Sequence, residues 1–182
     1  DKIEKFSFRN KDEINKAIAN INKKKFSITD ISSKVVNRNP SGPFTTSTLQ
    51  QTASSRLGFG ASRTMQIAQK LYQGIEIEGE TIGLITYMRT DGTNLSKDAI
   101  SSFRDYIKNK IGNEYLPDNA LNYSGKKAKN AQEAHEAIRP TDIDRAPQNV
   151  KKYLSPDQNK LYELIWSRAL SSQMASAKFD RN

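Results

Sequence analysis

GLITYMRTDGTNLS, residues Gly83–Ser96, is the stretch around which we expect the rest of the chain to be organised. Its first five residues are apolar or β-branched apart from the leading glycine and the tyrosine, which favours a strand or extended segment at the edge of a cleft. Side chains two apart in an extended chain share a face. Tyr87, Arg89 and Asp91 are therefore expected to point together, presenting a phenol, a guanidinium and a carboxylate to one ligand.

These three groups suit phosphoryl transfer. A phenol attacks a phosphodiester and holds it as a covalent ester when a neighbouring cation favours the phenolate. The planar fork of Arg89 matches two phosphate oxygens, and its charge would stabilise the transition state. Asp91 would orient that guanidinium or contact a sugar hydroxyl. The same spacing also fits an edge strand with a half-buried tyrosine and a surface ion pair worth roughly 0–1 kcal/mol.

Four blocks, which follow one another along the chain in the family's order, resemble the motifs of type IA DNA topoisomerases. Leu84–Asp91 resembles the active-site motif of that family, and Met88 is typical of its bacterial topoisomerase I branch. Gly92 stands where that branch more often has Ser, which leaves no side-chain hydroxyl at that position. The other three blocks are PFTTSTLQQ at residues 43–51, AHEAIRPTD at residues 134–142 and QMASA at residues 173–177.

The resemblance implies a tyrosine-bearing part of such an enzyme, with single-stranded DNA as its partner. Tyr87 would attack a phosphate, form a 5′-phosphotyrosine link and release a 3′-hydroxyl, so that negative supercoils relax without ATP. Arg89 would clamp the scissile phosphate. His135 and Arg139, four apart on an expected helix and so facing the same way, would hold neighbouring phosphates. Thr141 is a further candidate DNA contact.

We call residues 83–96 the tyrosine segment. Two adjacent helices joined by a short glycine-rich link precede it, and they resemble a helix-turn-helix unit. A plain corner of an all-α core fits the same pattern. On the first helix, Thr46 and Gln50 are candidate sugar-phosphate contacts. Asp91, on residues 83–96, is a candidate DNA contact through a sugar hydroxyl. The first expected helix is Thr45–Leu57, capped by Thr45 or Thr46 and ended by Gly58. The second is Arg63–Gln73, capped by Ser62 and ended by Gly74. Its expected apolar face consists of Met65, Ala68, Leu71 and Tyr72.

The predicted fold is mainly α: a multi-helix domain with the helix-turn-helix-like pair, plus a small incomplete β-containing arm at the termini. We expect residues 1–42 to be part of a β-rich hinge, residues 43–174 the helical domain with the tyrosine, and residues 175–182 a re-entry into the arm. The remaining expected elements are a strand over Lys5–Arg9, a helix over Lys11–Lys24, β structure over Phe26–Val36, a polar turn over Glu76–Glu80, a helix from Ser96 to Gly112, a helix over Ala131–Ile138, and a helix from Ser155 to about Met174.

Composition favours a polyanionic partner. The chain has 182 residues, with 29 Lys and Arg against 20 Asp and Glu, a net charge of +9. Nucleic acid is the first candidate, with an anionic membrane surface as competitor. No apolar run is long enough to span a bilayer and no secretory signal pattern is present, so we expect a cytoplasmic, nucleoid-associated monomer. The absence of cysteine and the single histidine exclude thiolate and multi-histidine metal sites within these residues.

The chemistry calls for more than this chain contains. Expelling the 3′-oxygen requires a general acid and charge neutralisation, commonly by a divalent metal. The resemblance places the acid and the Mg²⁺ ligands in a Toprim domain outside these residues, so we expect the chain, an excised fragment of the enzyme, to bind DNA weakly and cleave it poorly alone. A non-catalytic, helix-rich nucleic-acid-binding module is the main alternative. A tyrosine recombinase would need several Arg and His residues converging on the phosphate, which the blocks do not follow.

Overall fold

The computed structural model describes Phe8, residues 10–123 and residues 135–181, and about half of these residues are helical. The predicted mainly α fold with a small β arm is confirmed. The helices are α1 Lys11–Asn22, α2 Thr46–Leu57, α3 Ala61–Gln73, α4 Lys97–Tyr106, α5 Pro147–Val150 and α6 Pro156–Ser171. The strands are β1 Lys34–Arg38, β2 Ile75–Ile77, β3 Glu80–Ile82 and β4 Ala177–Arg181, and a π-helical turn, Ile107–Ile111, continues α4.

The ends of α2 and α3 follow local capping chemistry, with one exception. Thr45 caps α2 in a capping box with Thr48, and Gly58 ends the helix in the left-handed conformation, at φ 69°. Thr45 was one of the two predicted caps, because a side-chain oxygen satisfies a free N–H. The end at Gly58 was predicted because glycine adopts that φ without strain. The predicted Ser62 cap is wrong: α3 begins at Ala61, and its N-cap, Gly60, makes no side-chain hydrogen bond.

The longer helices begin where predicted. The Ser96 hydroxyl accepts a hydrogen bond from the Ala99 N–H at the start of α4. Ser155 and Gln158 form a capping box at the start of α6, with Pro156 in its first turn, where the missing N–H costs nothing. Helix α6 ends at Ser171, slightly before the expected end.

A β-hairpin leads into the tyrosine segment, where only a polar turn was predicted. Strands β2 and β3 pair antiparallel, with Ile77 opposite Glu80. The two residues between them, Glu78 and Gly79, both have positive φ, at 54° and 89°, as a type I′ turn requires. The Glu78 carboxylate accepts a hydrogen bond from the Tyr153 hydroxyl at 2.8 Å, which ties the hairpin to the turn before α6.

The chain divides into two compact units, Asp1–Val36 with Asp180–Asn182, and Asn37–Phe179. In the first, α1 has no buried residue among those described. Strand β1 pairs with β4 in a two-stranded sheet. The predicted β structure over Phe26–Val36 forms only from Lys34 onward. Of the strand predicted over Lys5–Arg9 only Phe8 is described, and the predicted domain boundaries stay predictions.

The second unit has two groups of buried apolar side chains, and one tryptophan lies between them. Trp166 packs against both groups, its Nε1–H donates to the Ile143 carbonyl at 3.0 Å, and its ring meets Tyr106 edge-on at 5.5 Å. The larger group joins α2, α3 and α6 to the tyrosine segment, and it includes Leu49, Ala53, Leu71, Leu84, Ile85, Met88, Ile138, Leu161 and Ile165. The smaller includes Phe103, Ile107, Ile143, Ala169 and Leu170.

Candidate active site

The tyrosine segment alternates between water and core. Tyr87 is 49% exposed, Met88 1% and Thr90 9%, while Arg89 and Asp91 are exposed. This is the alternation predicted for an extended chain. The segment forms no regular strand: its described pairing consists of two isolated bridges, antiparallel between Ile85 and Pro140 and parallel between Asn94 and Glu136. The buried residues anchor the segment, and the exposed ones are left for a ligand.

The start of α2 holds the segment on both sides of Arg89. The Thr46 hydroxyl donates to the Met88 carbonyl at 2.7 Å and accepts from the Thr90 N–H at 2.8 Å. The Thr46 N–H donates to the Thr90 carbonyl at 2.9 Å. Thr46 is thus a clamp on the backbone that carries Arg89. Gln50, one turn further along α2, is half-buried.

An extended segment after residue 134 holds the other edge. The Thr86 hydroxyl donates to the Ala137 carbonyl at 2.7 Å, and the Thr86 N–H donates to the Arg139 carbonyl at 2.9 Å. The Thr141 hydroxyl donates to the Gly83 carbonyl at 2.7 Å. Hydrogen bonds from α2 and from this segment therefore fix the backbone on both sides of Tyr87.

The helix predicted over Ala131–Ile138 is wrong for its described part, since His135–Ile138 is extended; residues 131–134 lie outside the described residues. The backbone N–H groups here bond to distant parts of the chain instead of to their own helix: that of Ala137 to the Asn94 carbonyl at 2.9 Å, and that of Ile138 to the Phe44 carbonyl at 2.8 Å. Tertiary pairing overrides local helix propensity.

A cleft of about 320 Å³ opens beside the tyrosine. It brings together three of the predicted site residues, Tyr87, Arg89 and His135. It is lined by Tyr72, Thr86, Tyr87, Arg89, Thr90, His135 and Glu136. The other predicted DNA-binding residues, Asp91, Arg139, Thr141, Thr46 and Gln50, do not line it, and their contacts with DNA stay predictions.

Arg89 and His135 line this cleft, and neither has a carboxylate partner among the described residues. Both side chains are exposed. The ion pairs within residues 10–123 and 135–181 include neither of them, and Asp91 makes no hydrogen bond to Arg89 there. As far as the described residues show, two nitrogen-bearing side chains are therefore available to contact an anion beside Tyr87.

Arg139 bonds to groups within its own segment of the chain. Its Nε–H donates to a Glu136 carboxylate oxygen at 2.7 Å, one guanidinium N–H donates to the Pro140 carbonyl at 2.9 Å, and the side chain is only 15% exposed. Glu136 also accepts from the Ser96 N–H at 3.1 Å. Burial raises the pKa of Glu136, but the hydrogen bonds from Arg139 and Ser96 outweigh it and hold the pKa below its usual range. Glu136 is therefore a carboxylate, not an acid, near neutral pH.

Glycine at position 92 allows a close approach to the histidine. A Cβ on Gly92 would overlap the carbonyl oxygen of His135. Because that neighbour is backbone, it cannot swing aside as a flexible side chain would. The absence of a side chain at Gly92 thus places His135 at the cleft.

Four lining residues were not predicted as site residues: Tyr72, Thr86, Thr90 and Glu136. The alternation that exposes Tyr87 could have assigned the two threonines to the supporting role. Tyr72 was predicted on the apolar face of α3, yet it is 41% exposed and its ring meets that of Tyr87. Nothing in the α3 pattern distinguishes it from a core residue.

The cleft does not fit a magnesium site. Mg²⁺ prefers several oxygen ligands, commonly carboxylates, and the lining contains one carboxylate, already engaged by Arg139. Across residues 10–123 and 135–181, no group of three or more His, Asp or Glu side chains could hold a metal ion.

Among the described helices, none is long and apolar enough to cross a membrane.

Comparison with known proteins gives consistent results. A family model described as DNA topoisomerase matches residues 1–182. DNA topoisomerase 1 of Rickettsia typhi is 52% identical over 179 residues, which are 98% of this chain and 23% of that protein. DNA topoisomerase 1 of Xylella fastidiosa strain 9a5c is 56% identical over 151 residues, 82% of this chain and 18% of that protein. The chain thus spans less than a quarter of these relatives.

A solved structure shares the fold. The full-length topoisomerase I of Thermotoga maritima superposes with a TM-score of 0.78 at 38% sequence identity. The match covers 98% of this chain and 28% of that one.

Proposed function

The chain belongs to the DNA topoisomerase family, in its bacterial type IA branch, and from this membership we propose that it carries the nucleophile of an enzyme that breaks and rejoins one DNA strand. The supporting observation is the half-exposed side chain of Tyr87 on the same cleft as Arg89 and His135. The proposed substrate is single-stranded DNA, and the proposed outcome is relaxation of negative supercoils without ATP.

In the proposed reaction, the Tyr87 oxygen attacks a backbone phosphorus. A bond forms between that oxygen and phosphorus, and the phenolic proton passes to water. The bond from phosphorus to the 3′-oxygen breaks, and its electron pair leaves with that oxygen, which becomes a 3′-hydroxyl on protonation. Tyr87 is left joined to the 5′-phosphate. Because this ester retains the energy of the phosphodiester, the 3′-hydroxyl can later attack the same phosphorus and expel Tyr87.

Arg89 and His135 supply the contacts to the phosphate. The guanidinium of Arg89 can bind two phosphate oxygens at once and stabilise the charge that develops on them. Since Arg89 has no ion-pair partner among the described residues, it need not break an internal contact to do so. His135, across the cleft, would contact the same or an adjacent phosphate. Thr46 would act by positioning the Arg89 backbone.

The proton for the 3′-oxygen must come from elsewhere. Glu136 is the carboxylate of the cleft, and the lowering of its pKa by Arg139 and Ser96 makes it a poor proton donor. We therefore place the general acid and any Mg²⁺ ligands in the portion of the relatives that this chain does not span. The same portion would be the main partner of this chain in a cytoplasmic, nucleoid-associated, monomeric enzyme.

Covalent trapping tests the proposal. Residues 1–182 would replace the matching segment of the Rickettsia typhi enzyme, where 52% identity favours a compatible fit. A single-stranded oligonucleotide labelled at its 3′ end is added with Mg²⁺, and the mixture is denatured and resolved by size. We expect the label to move with the protein, and Tyr87→Phe to abolish this while DNA affinity remains.

Tyr115→Phe is the matched control, because Tyr115 is 47% exposed and does not line the cleft. This control should trap label as the unchanged chimera does. A chimera that binds the oligonucleotide but traps no label would favour a non-catalytic binding module. Label trapped equally by Tyr87→Phe would assign the nucleophile to another residue.

A further inference from the structure

A second tyrosine lies directly against the proposed nucleophile. The rings of Tyr72 and Tyr87 are 5.3 Å apart between centroids and inclined by 65°, an edge-to-face arrangement. Such pairs are favourable because the positive edge of one ring meets the negative face of the other. Both rings border the cleft, with Tyr72 41% and Tyr87 49% exposed. Water therefore reaches both rings, and the buried packing that orders most aromatic side chains is absent here.

The backbone that carries Tyr72 is anchored to the backbone that carries Tyr87. Leu71 is fully buried, and its carbonyl, near the end of α3, accepts the Leu84 N–H at 2.8 Å. Helix ends leave such carbonyls without helical partners, so this bond satisfies one of them. Gly83 lies so close that a Cβ there would be 2.7 Å from the Tyr72 carbonyl oxygen. The end of α3 is thus a fixed support for the tyrosine segment.

We propose that Tyr72 is a positioning residue that holds the ring of Tyr87 in its attacking orientation. A half-exposed tyrosine has two side-chain torsions to order, and an edge-on neighbour restricts both. The contact uses the ring of Tyr72 and not its hydroxyl, for which the described residues contain no hydrogen-bond partner. This inference rests on Tyr87 being the nucleophile.

The ring position is measured first, by NMR of the 182-residue chain, with the Tyr87 resonances assigned by their loss in Tyr87→Phe. Tyr72→Leu should shift the Tyr87 ring resonances, because the ring current of its neighbour is removed. Tyr72→Phe, which retains the ring, should nearly preserve them. Tyr115→Leu, a change of the same kind at an exposed site away from the cleft, should leave them unchanged.

The rate of covalent capture is measured next, in the chimera and at saturating oligonucleotide. Tyr72→Leu should lower the single-turnover rate roughly two- to tenfold, the range expected for one aromatic pair, with little change in Kd. Tyr72→Phe should restore the rate. A loss confined to Kd would overturn the proposal, since it would mean that Tyr72 stacks on a base of the bound strand.

The two readouts separate this inference from the proposed function. Unchanged Tyr87 resonances in Tyr72→Leu would overturn the positioning role, whatever the chimera does. The resonances could also shift while the chimera never captures DNA. In that case the ring contact would stand, but Tyr87 would lose its catalytic role and the contact would lose the purpose we assign to it.

Discussion

Tyr87 and Met88 show how one extended stretch serves two purposes. Adjacent side chains of an extended chain point in opposite directions, so the burial of Met88 fixes the backbone while Tyr87 stays in water. A tyrosine free in a loop would lose more conformational entropy when it met a phosphate. Exposure next to a fixed backbone gives Tyr87, the proposed nucleophile, a defined backbone position without removing its side chain from solvent.

Glu136 should make the stability of the chain depend on pH. Its pKa lies below the usual range in the folded state, so its stabilising contribution is present above about pH 4.3, the ordinary value, and is lost as the pH falls through the lower folded value. We expect the free energy of unfolding of the unaltered chain to fall more steeply between about pH 6 and about pH 3 than that of Glu136→Gln. Urea denaturation across this range measures it.

Glu163→Gln is the control for that experiment. Glu163 is an exposed glutamate of α6, and no ion pair involves it in the part of the chain that the structure describes. Its pH profile should follow that of the unaltered chain. If Glu136→Gln also gives a parallel profile, the hydrogen bonds from Arg139 and Ser96 do not hold the carboxylate as the geometry indicates.

At the scale of elements, the site is the extended tyrosine segment, held by hydrogen bonds along both edges. Helix α2 binds it through Thr46, and the segment that includes Ala137, Arg139 and Thr141 binds it on the other side. Helix α3 supports it through the Leu71 carbonyl. Three parts of the chain, far apart in sequence, therefore determine where Tyr87 and Arg89 lie.

Thr46→Val tests whether the Thr46 hydrogen bonds hold the tyrosine segment in place. The substitution keeps the shape of the side chain but leaves the part-buried Thr90 N–H and Met88 carbonyl without their hydroxyl partner. We expect a loss of about 1–3 kcal/mol in the free energy of unfolding, and slower covalent capture by the chimera at saturating DNA. Urea denaturation and single-turnover kinetics provide the two measurements.

Thr52→Val is the matched control on the same helix. Among the described residues, the Thr52 hydroxyl bonds to a single partner, the Thr48 carbonyl one turn back in α2, at 2.8 Å. Its replacement should change the free energy of unfolding by no more than about 0.5 kcal/mol and leave capture unaffected. Equal effects of the two substitutions on the free energy of unfolding and on capture would show that the Thr46 hydrogen bonds do not position the tyrosine segment.

Sequence alone predicted the parts of this site whose causes are local. The caps at Thr45, Ser96 and Ser155 depend on a hydroxyl and an N–H three residues away, and the exposure of Tyr87 follows from alternation. The extended course of His135–Ile138 could not be predicted in the same way. Its hydrogen-bond partners, such as the Phe44 carbonyl, come from distant segments, and a helical pattern in that stretch carries no sign of them.

The same distinction applies to the side chains of the cleft. Arg89 lies beside Tyr87 because the two are close in sequence, whereas Tyr72 reaches it through tertiary packing of α3. Arg139 was predicted to bind a phosphate, but its neighbours Glu136 and Pro140 occupy much of its hydrogen-bonding capacity. Which of several basic residues faces a ligand depends on contacts that the sequence pattern does not reveal.

At the scale of the whole molecule, charge and coverage support the proposal that this chain binds DNA and requires further residues for the reaction. The net charge is +9, and the chain spans 23% of the Rickettsia typhi enzyme. We expect the 182 residues alone to bind single-stranded DNA weakly, with affinity that falls as salt rises, and not to relax supercoiled plasmid with Mg²⁺. Gel electrophoresis of plasmid, with the chimera as positive control, measures this. Robust relaxation by the chain alone would place the general acid within it.

The central claim is that Tyr87 becomes joined to DNA, and locating the adduct tests it most directly. The chimera is incubated with a single-stranded oligonucleotide and Mg²⁺, denatured, and digested with nuclease and protease, and the peptides are sequenced by mass spectrometry. We predict a nucleotide attached through its 5′-phosphate to Tyr87. An adduct on Tyr72 or on any other residue, or none on a chimera that binds the oligonucleotide, would contradict the account.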